Sequence, residues 1–169
     1  MLLKLKDIKE AQGISIPFAY ELDLSEYEFF GEKPLKDPVK VCGKLENRAG
    51  AMELIADADF IVDTVCSRCA KPIRVPKHQP IRRAFADSLE DEENDDIFLI
   101  EGDEIDVDEM ISEAIVLEMD FVFLCREDCK GLCLRCGADL NMTKCSCEPE
   151  VADERLAVLK DILKGMSEN

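Results

Sequence analysis

The sequence contains no tryptophan, one histidine and few aromatic residues, and each shortage narrows the range of possible functions. Aromatic residues make up 6% of the chain, so platforms on which nucleic-acid bases could stack are scarce. His78 is the single histidine, and neither a glycine-rich phosphate loop nor a G-x-S-x-G nucleophile motif is present. We therefore expect a non-enzymatic protein without catalytic residues or a small-molecule substrate, with His78 on its surface.

Long apolar runs are also missing from the sequence. None approaches the roughly 20 residues that a membrane-spanning helix needs. Residues 1–13 lack the apolar stretch and the cleavage site of a secretory signal peptide. We therefore expect a cytoplasmic protein that does not enter a membrane. In that reducing compartment, its nine cysteines indicate metal ligands or redox-active thiols rather than disulfides.

The chain also has fewer basic than acidic residues. The chain has 21 Lys and Arg against 38 Asp and Glu, which gives a net charge of −17. Such a protein repels polyanions at long range, so extended phosphate contacts along DNA or RNA are disfavoured. Basic proteins are its natural electrostatic partners.

The first hundred residues are dominated by β-strand patterns. Among 169 residues, short segments with alternating apolar side chains lie at 3–5, 14–24, 39–45, 52–65, 73–85 and 97–100. Pro76 and Pro80 indicate that the segment at 73–85 is an edge strand. We expect an α+β fold: a mostly antiparallel β-sheet or partly closed barrel with one helix, a C-terminal cysteine-rich zinc knuckle and a terminal helix.

Two helices and two domains are predicted. The first helix begins near Asp106 or Asp108, where Asp106 and Glu109 resemble a capping box. Its apolar face consists of Ile111, Ala114, Ile115 and Met119. The terminal helix follows Asp153 and has an apolar stripe of Ala152, Leu156, Leu159 and Leu163. We assign residues 1–120 to an α+β core domain with a solvated acidic linker at 87–96, and residues 121–169 to the zinc-knuckle module and terminal helix.

Six of the nine cysteines lie between residues 125 and 147. Zinc takes four ligands tetrahedrally, and an all-cysteine set forms a closed structural site. Zinc binding here would supply folding free energy on the order of 10 kcal/mol. The predicted ligands are Cys133 and Cys136, in a C-x2-C-G turn, with Cys145 and Cys147. The reserve ligands are Cys125 and Cys129, which could replace the Cys145 and Cys147 pair.

Cys66-Ser-Arg-Cys69 is a second knuckle-like turn, without an obvious second pair nearby in the sequence. It could form a second metal site with Cys125 and Cys129. It could equally be a redox-sensing pair or two free thiols on a tight turn. Cys42 lies in a predicted strand, and we expect it in the core.

Residues 68–83 form a basic segment without an intervening acidic residue. One interpretation is a small phosphate-contacting surface. The alternative is a solvated sheet face that is neutralised by the acidic linker that follows. The candidate RNA-binding residues are Arg68, Lys71, Arg74, Lys77, Arg82 and Arg83.

The order of these motifs resembles a known family, the large ribosomal RNA subunit accumulation (YceD) family. The motifs are Cys66-Ser-Arg-Cys69, Gly102-Asp-Glu-Ile-Asp106, Cys125-Arg-Glu-Asp-Cys-Lys-Gly-Leu-Cys133, Cys136-Gly-Ala-Asp-Leu-Asn141, Cys145-Ser-Cys147 and Asp153-Glu-Arg-Leu-Ala157. The resemblance covers residues 1–164. It implies a ribosome-biogenesis factor that supports accumulation of large-subunit (23S) ribosomal RNA. It also implies genes that stand beside that of a small zinc-ribbon protein of the large subunit.

Three hypotheses describe how such a factor would act. The first is an acidic escort that shields a basic large-subunit ribosomal protein until assembly. The second is direct binding of ribosomal RNA through the segment Arg68–Arg83. The third is a thiol redox sensor that uses Cys66 and Cys69.

Overall fold

The strands of the main sheet occupy most of the first hundred residues. A computed structural model describes residues 1–5, 8, 13–29, 31–48, 51–86, 97–99, 102 and 104–147. Its elements, in chain order, are β1 (Leu2–Lys4), β2 (Ser15–Leu22), β3 (Val39–Arg48), β4 (Ala51–Val65), β5 (Pro72–Ala86), β6 (Ile97–Leu99), β7 (Glu104–Asp106) and α1 (Val107–Leu117).

The main sheet has five strands in the order β2-β3-β4-β5-β6. Pairing is antiparallel except between β5 and β6, which run parallel over three residues. A separate two-stranded antiparallel sheet joins β1 to β7. The prediction of a mostly antiparallel sheet is confirmed. The barrel alternative is wrong, because the edge strands β2 and β6 do not pair with each other within the described residues.

Side-chain alternation on β4 separates the core from the solvent-facing side of the sheet. Leu54, Ala58 and Val62 are buried, and full burial of a leucine or valine side chain contributes about 1.5–3 kcal/mol. The intervening positions carry Glu53, Asp57, Asp59 and Asp63. A single strand therefore supplies both the core and a row of carboxylates on the outer face.

The same alternation on β3 corrects one expectation from the sequence. Val39 and Val41 are buried, but Cys42, which follows Val41, is exposed. Successive side chains of a strand point to opposite faces, so Cys42 cannot share the core with its neighbours. Its placement in the core was therefore wrong.

Helix α1 packs its predicted apolar face on the core. Asp106 is the N-cap, and its side chain accepts a hydrogen bond from the Asp108 backbone N–H at 3.0 Å, so the predicted start is confirmed. Ile111, Ala114 and Ile115 are buried, as is Met119 just beyond the helix. The helix therefore carries the chain from β7 to the cysteine-rich segment.

Strand β5 pairs with β4 along its whole length, but with β6 only through Ala84–Ala86. Pro76 and Pro80 therefore lie where the other edge of β5 has no strand partner among the described residues, as an edge strand predicts. The predicted acidic linker at 87–96 and the terminal helix fall outside the described residues. Within the described part of the chain, no helix is long and apolar enough to cross a membrane.

Candidate metal centres

The turn Cys66–Cys69 lies at the tip of the β4–β5 hairpin. Two backbone hydrogen bonds close it: Cys66 donates to the carbonyl of Lys71, and Ala70 donates to the carbonyl of Cys66, both at 2.8 Å. Ala70 adopts a φ of +56°, a backbone conformation that residues other than glycine rarely adopt. The hairpin tip is thus folded so that both sulfurs face the same side.

The turn Cys133–Cys136 has the same hydrogen-bond pattern. Cys133 donates to the carbonyl of Ala138, and Gly137 donates to the carbonyl of Cys133, again both at 2.8 Å. Gly137 takes the position of Ala70 and has a φ of +71°. The two C-x-x-C segments therefore form one type of turn, and glycine is the residue that suits its last position.

The first cluster combines the hairpin tip with the segment after α1. The sulfurs of Cys66 and Cys129 lie 3.8 Å apart, and those of Cys69 and Cys125 lie 3.7 Å apart. All four ligand atoms lie within 4.8 Å of one another. Cys66, Cys69 and Cys129 are buried, and Ile73, Leu124 and Leu132 pack against them. We call these four residues the first centre.

Backbone contacts fix the hairpin tip against the segment 123–132. Ser67 donates its N–H to the carbonyl of Phe123 at 2.7 Å, and the Phe123 N–H returns to the Ser67 hydroxyl at 3.1 Å. The Leu132 N–H donates to the carbonyl of Arg68 at 3.1 Å. These bonds hold Cys125 and Cys129 opposite Cys66 and Cys69 without the help of a metal ion.

Asn141 connects the first centre to the segment that follows it. Its amide nitrogen donates to the sulfur of Cys129 at 3.4 Å and to the Asp139 carboxylate at 2.8 Å. Its oxygen accepts from the Lys130 backbone N–H and from the Arg126 guanidinium, both at 2.8 Å. A hydrogen bond to a ligand sulfur stabilises the thiolate and orients it.

The second cluster consists of Cys133, Cys136, Cys145 and Cys147, here called the second centre. Its ligand atoms also lie within 4.8 Å of one another. The sulfur of Cys145 is 3.3 Å from that of Cys133 and 3.4 Å from that of Cys136. Cys136 is exposed and the other three are half-buried, so this centre is more open to solvent than the first.

Backbone N–H groups favour the charged form of the first sulfur in each turn. Hydrogen bonds from the backbone of Cys125, and then of Cys69 and Arg68, lower the pKa of Cys66 to about 6. Those from Cys136 and Arg135 lower the pKa of Cys133 to about 6. Each turn therefore presents one thiol that is readily ionised at neutral pH.

One other sulfur in each cluster behaves in the opposite way. Lost solvation, followed by a hydrogen bond with Cys129, raises the pKa of Cys125 to about 12. Hydrogen bonds with Cys145 and Cys136 raise the pKa of Cys147 to about 12. Four thiolates this close repel one another, so a nearby cation is required before all four ionise.

Both clusters fit a tetrahedral ion with four sulfur ligands. A zinc–sulfur bond of about 2.3 Å implies about 3.8 Å between ligand sulfurs. The first centre has 3.7 and 3.8 Å, and the second is a few tenths of an ångström tighter. Separations of this size are far from the roughly 2.05 Å of a disulfide. Both clusters could therefore hold a metal ion, and four protein ligands leave no open position for catalysis.

The structure brings together the four cysteines that the sequence predicts as the main site. It places the reserve ligands Cys125 and Cys129 with Cys66 and Cys69, which is the pairing left open for a second site. The first centre therefore joins residues 1–120 to residues 121–169, which the sequence predicts to be two separate domains. The sequence did not predict a role for Asn141 at the first centre. Only its position within the motif that starts at Cys136 could have indicated one.

Arg68 has a structural role beside the first centre. Its Nη1 donates to the carbonyl oxygen of Cys129 at 2.8 Å and to that of Glu127 at 3.3 Å. Lys71 is exposed in the same turn. Arg68 was singled out as an RNA-binding candidate, but these contacts fix the cysteine-rich segment to the hairpin tip.

Strand β5 places its basic residues beside carboxylates. Arg74 contacts Asp63 at 3.1 Å and also pairs with Asp37, and Arg82 lies 3.9 Å from Glu53. On the opposite face of the strand, Lys77 pairs with Asp120. Arg83 donates to the carbonyl of Arg82 at 3.2 Å. Alternation along β5 therefore divides the basic segment between two faces.

His78 is exposed, as expected, and lies apart from both cysteine clusters. Its Nδ1 is 2.8 Å from the carboxylate of Asp59, and its Nε2 is 3.3 Å from that of Asp57. The hydrogen bond with Asp59 raises the pKa of His78. The histidine thus belongs to the row of charge pairs on the outer face of the sheet.

The fold and the two centres define a class: an open, mostly antiparallel sheet whose hairpin tip meets a C-terminal segment through clustered cysteines. The family model described as Large ribosomal RNA subunit accumulation protein YceD matches residues 54–163, which include all eight cysteines of both centres. The chain belongs to that family.

Relatives in bacteria and plants are similar to this chain over part of their length. An uncharacterized protein of Mycobacterium bovis is 36% identical over 127 residues, covering 66% of this chain and 59% of the relative. The chloroplastic Large ribosomal RNA subunit accumulation protein YCED homolog 1 of Zea mays is 30% identical over 170 residues, covering 79% and 56% respectively. The chain thus spans less than two thirds of these relatives. No solved structure matches it.

Proposed function

We propose that this protein is a non-enzymatic assembly factor of the large ribosomal subunit that shields a basic ribosomal protein. Membership of the family supports a role in the accumulation of large-subunit ribosomal RNA. The net charge of −17 supports a basic partner, because opposite charge speeds encounter and keeps the partner from binding RNA indiscriminately.

The observation that carries this proposal is the neutralisation of the basic segment. Arg74, Lys77 and Arg82 each lie beside a carboxylate of the same chain. Contact with RNA phosphates would require these pairs to be broken, which reduces the net gain from counterion release. A surface with excess carboxylates attracts cationic protein instead.

We further propose that both centres bind structural zinc. Four thiol ligands at tetrahedral spacing suit zinc, and the ion would hold the hairpin tip against the segment 123–147. Cys66 and Cys69 belong to a four-sulfur cluster, which favours metal binding over a redox-sensing pair. The chemistry of such a closed site is structural, and the ion's binding free energy becomes folding free energy.

The experiment is native purification at low salt, followed by identification of bound protein and RNA. The proposal predicts a basic large-subunit ribosomal protein that dissociates as salt rises above roughly 0.15 M, where exposed charges are screened within about 8 Å. Depletion of this factor is expected to lower the level of large-subunit ribosomal RNA. Absence of any ribosomal protein at low salt contradicts the escort.

Direct RNA binding is a second candidate, and one groove favours it. Arg68, Lys130 and Arg135 line a groove of about 650 Å³ between the two centres, together with Leu132, Leu134 and Leu140, and none of the described residues that line it is acidic. This set differs from the predicted segment 68–83, with which it shares only Arg68.

Paired charge reversals separate these two RNA surfaces. If the groove binds RNA, Lys130→Glu with Arg135→Glu weakens binding to large-subunit RNA, whereas Arg82→Glu with Arg83→Glu does not. The salt dependence would be shallow, because each phosphate contact contributes only about 0.7–0.9 to the slope. Unchanged RNA binding in both double variants removes this candidate.

A further inference from the structure

An exposed apolar patch follows the C-terminal end of α1. Leu117 and Phe121 are 75% exposed and Val122 is 63% exposed. A single exposed apolar side chain is ordinary, but three large ones within six residues are not. The segment Leu117–Val122 therefore has the composition of a contact surface.

A small apolar groove lies beside this patch. It measures about 260 Å³, and its walls include Phe29, Val65, Met119, Phe121 and Phe123. The rings of Phe29 and Phe121 lie 6.3 Å apart between centroids. Such a groove suits an apolar side chain of a partner, in the manner of an interface anchor.

Carboxylates outnumber cations along α1 and beside the groove, where Lys77 lies over the ring of Phe123. Residues 104–120 contain seven acidic side chains and no basic one, namely Glu104, Asp106, Asp108, Glu109, Glu113, Glu118 and Asp120. Glu32 and Asp120 also line the groove, whereas no basic residue is among the described residues that line it. Asp120 is paired with Lys77 from β5, and Asp106 and Asp108 lie beside the N-terminal ammonium of Met1, so Glu104, Glu109, Glu113 and Glu118 carry the remaining negative charge.

Asp106, Asp108 and Glu109 stabilise the start of α1, but the carboxylates further along the helix do not. Glu109 and Glu113 are four residues apart, and like charges at that spacing destabilise a helix by about 0.2–0.5 kcal/mol. Glu118 is the C-cap, where the helix dipole is already negative, and the last turn contains no basic residue. Cations from another molecule would relieve both effects.

We propose that this surface, formed by α1 and Leu117–Val122, binds a cationic amphipathic segment of a partner protein. The apolar side chain of that segment would enter the groove, and its basic side chains would meet Glu113 and Glu118. This inference rests on the proposed escort function and assigns its docking site. Charge complementarity commits the surface to a basic protein rather than to RNA or a second acidic copy.

The test measures binding of a fluorescent helical peptide of lysine and leucine to the full chain. We expect Phe121→Ser with Val122→Ser to weaken binding about tenfold, and Glu113→Gln with Glu118→Gln to weaken it about three- to fivefold. The matched controls are Leu134→Ser with Met142→Ser, which are 91% and 81% exposed elsewhere, and Glu21→Gln with Glu127→Gln. These controls are expected to stay within about twofold.

Equal losses of peptide affinity in the test variants and in their matched controls would show that the peptide is attracted by net charge alone. That result would overturn the proposal. So would equal binding of a peptide in which serine replaces leucine. A photo-reactive residue at position 122 is expected to crosslink the lysine–leucine peptide. Crosslinking instead to residues 151–169 or to a second copy of this chain would assign the surface to those occupants. Circular dichroism checks folding, and Leu117→Ser substitutes for any variant that unfolds.

Failure of the docking site is distinguishable from failure of the escort function. If a ribosomal protein co-purifies equally with the wild type and with the Phe121→Ser, Val122→Ser variant, the function stands and this surface is wrong. If none co-purifies with the wild type at low salt, the escort function itself is wrong.

Discussion

Arg68 and Gly131 approach each other so closely that the backbone of one excludes a side chain on the other. A Cβ atom at Gly131 would lie 2.9 Å from the carbonyl oxygen of Arg68, and Gly131 has a φ of +75°. The same carbonyl accepts the Leu132 N–H. This contact brings the hairpin tip and the C-terminal segment to the separation at which their four sulfurs converge.

Gly131→Ala is therefore expected to lower the free energy of unfolding by about 2 kcal/mol or more, because positive φ and a backbone clash add together. Gly137→Ala is the matched control, since Gly137 has a φ of +71° but open space around it. That control should lose only about 1–2 kcal/mol. Denaturant unfolding of the metal-loaded proteins measures both values. Equal losses would show that the Arg68 contact is not close.

Asn141 is expected to tune the first centre alone. Asn141→Leu removes the donor to the Cys129 sulfur and the acceptor for the Lys130 N–H, so metal affinity at this centre should fall about 10- to 100-fold. Competition with a chromophoric chelator reports the affinity of each centre. Met142→Leu, an exposed neighbour, is the control. A uniform loss at both centres would assign Asn141 a general folding role instead.

Ala70 occupies a position that suits glycine. Ala70→Gly relieves about 1–2 kcal/mol of conformational strain, offset by about 0.4–1 kcal/mol from the more flexible unfolded chain. We expect a net gain in the free energy of unfolding of about 0.5 kcal/mol. Ala19→Gly, at an exposed position in β2, should instead lose about 0.5–1 kcal/mol. A loss in Ala70→Gly similar to that in Ala19→Gly would contradict the strain at Ala70.

Metal affinity should fall as the pH falls. With pKa values near 6, Cys66 and Cys133 are already largely ionised at pH 7 in the metal-free protein, whereas Cys125 and Cys147, near 12, still carry protons. Zinc binding at pH 7 should therefore release fewer than four protons per centre. At pH 5 the release should approach four, with weaker binding.

The same pKa values set the pH dependence of the metal-free protein. The lowered pKa of Cys66 contributes stability that is present above its unfolded value near 9 and is lost as the pH falls towards 6. The raised pKa of Cys125 contributes stability below 9 that is lost as the pH rises towards 12. Proton release on zinc binding at pH 7, measured with an indicator dye, tests the lowered pKa of Cys66, and a release of four protons from the first centre would refute it.

Local patterns predicted the elements but not which distant residues meet. The alternation in β4 and the cap at Asp106 depend on neighbouring residues, and both were predictable. The pairing of Cys66 and Cys69 with Cys125 and Cys129 depends on how the β4–β5 hairpin tip meets the chain after α1, about sixty residues later. The spacing of the cysteines does not reveal that contact, so the sequence alone could not decide whether Cys66 and Cys69 share a site with Cys125 and Cys129.

Two further differences have the same physical origin. Cys42 lies on the outer face because strand side chains alternate, and residues 68–83 are contiguous in sequence but divided between two faces of β5. Their acidic partners come mainly from β4, which precedes them. A run of like charges in a strand therefore predicts a charged surface only after alternate residues are assigned to opposite faces of the sheet.

The number of zinc ions per chain decides whether both cysteine clusters are metal centres. Native mass spectrometry and elemental analysis of the full chain should find two zinc ions per molecule, and Cys66→Ser and Cys136→Ser should each retain one. Cys66→Ser should lower the melting temperature more, because the first centre is buried and joins two segments of the chain. A folded wild-type protein with no zinc would show that neither cluster is a zinc centre, and a single zinc retained in Cys66→Ser but lost in Cys136→Ser would remove the first centre.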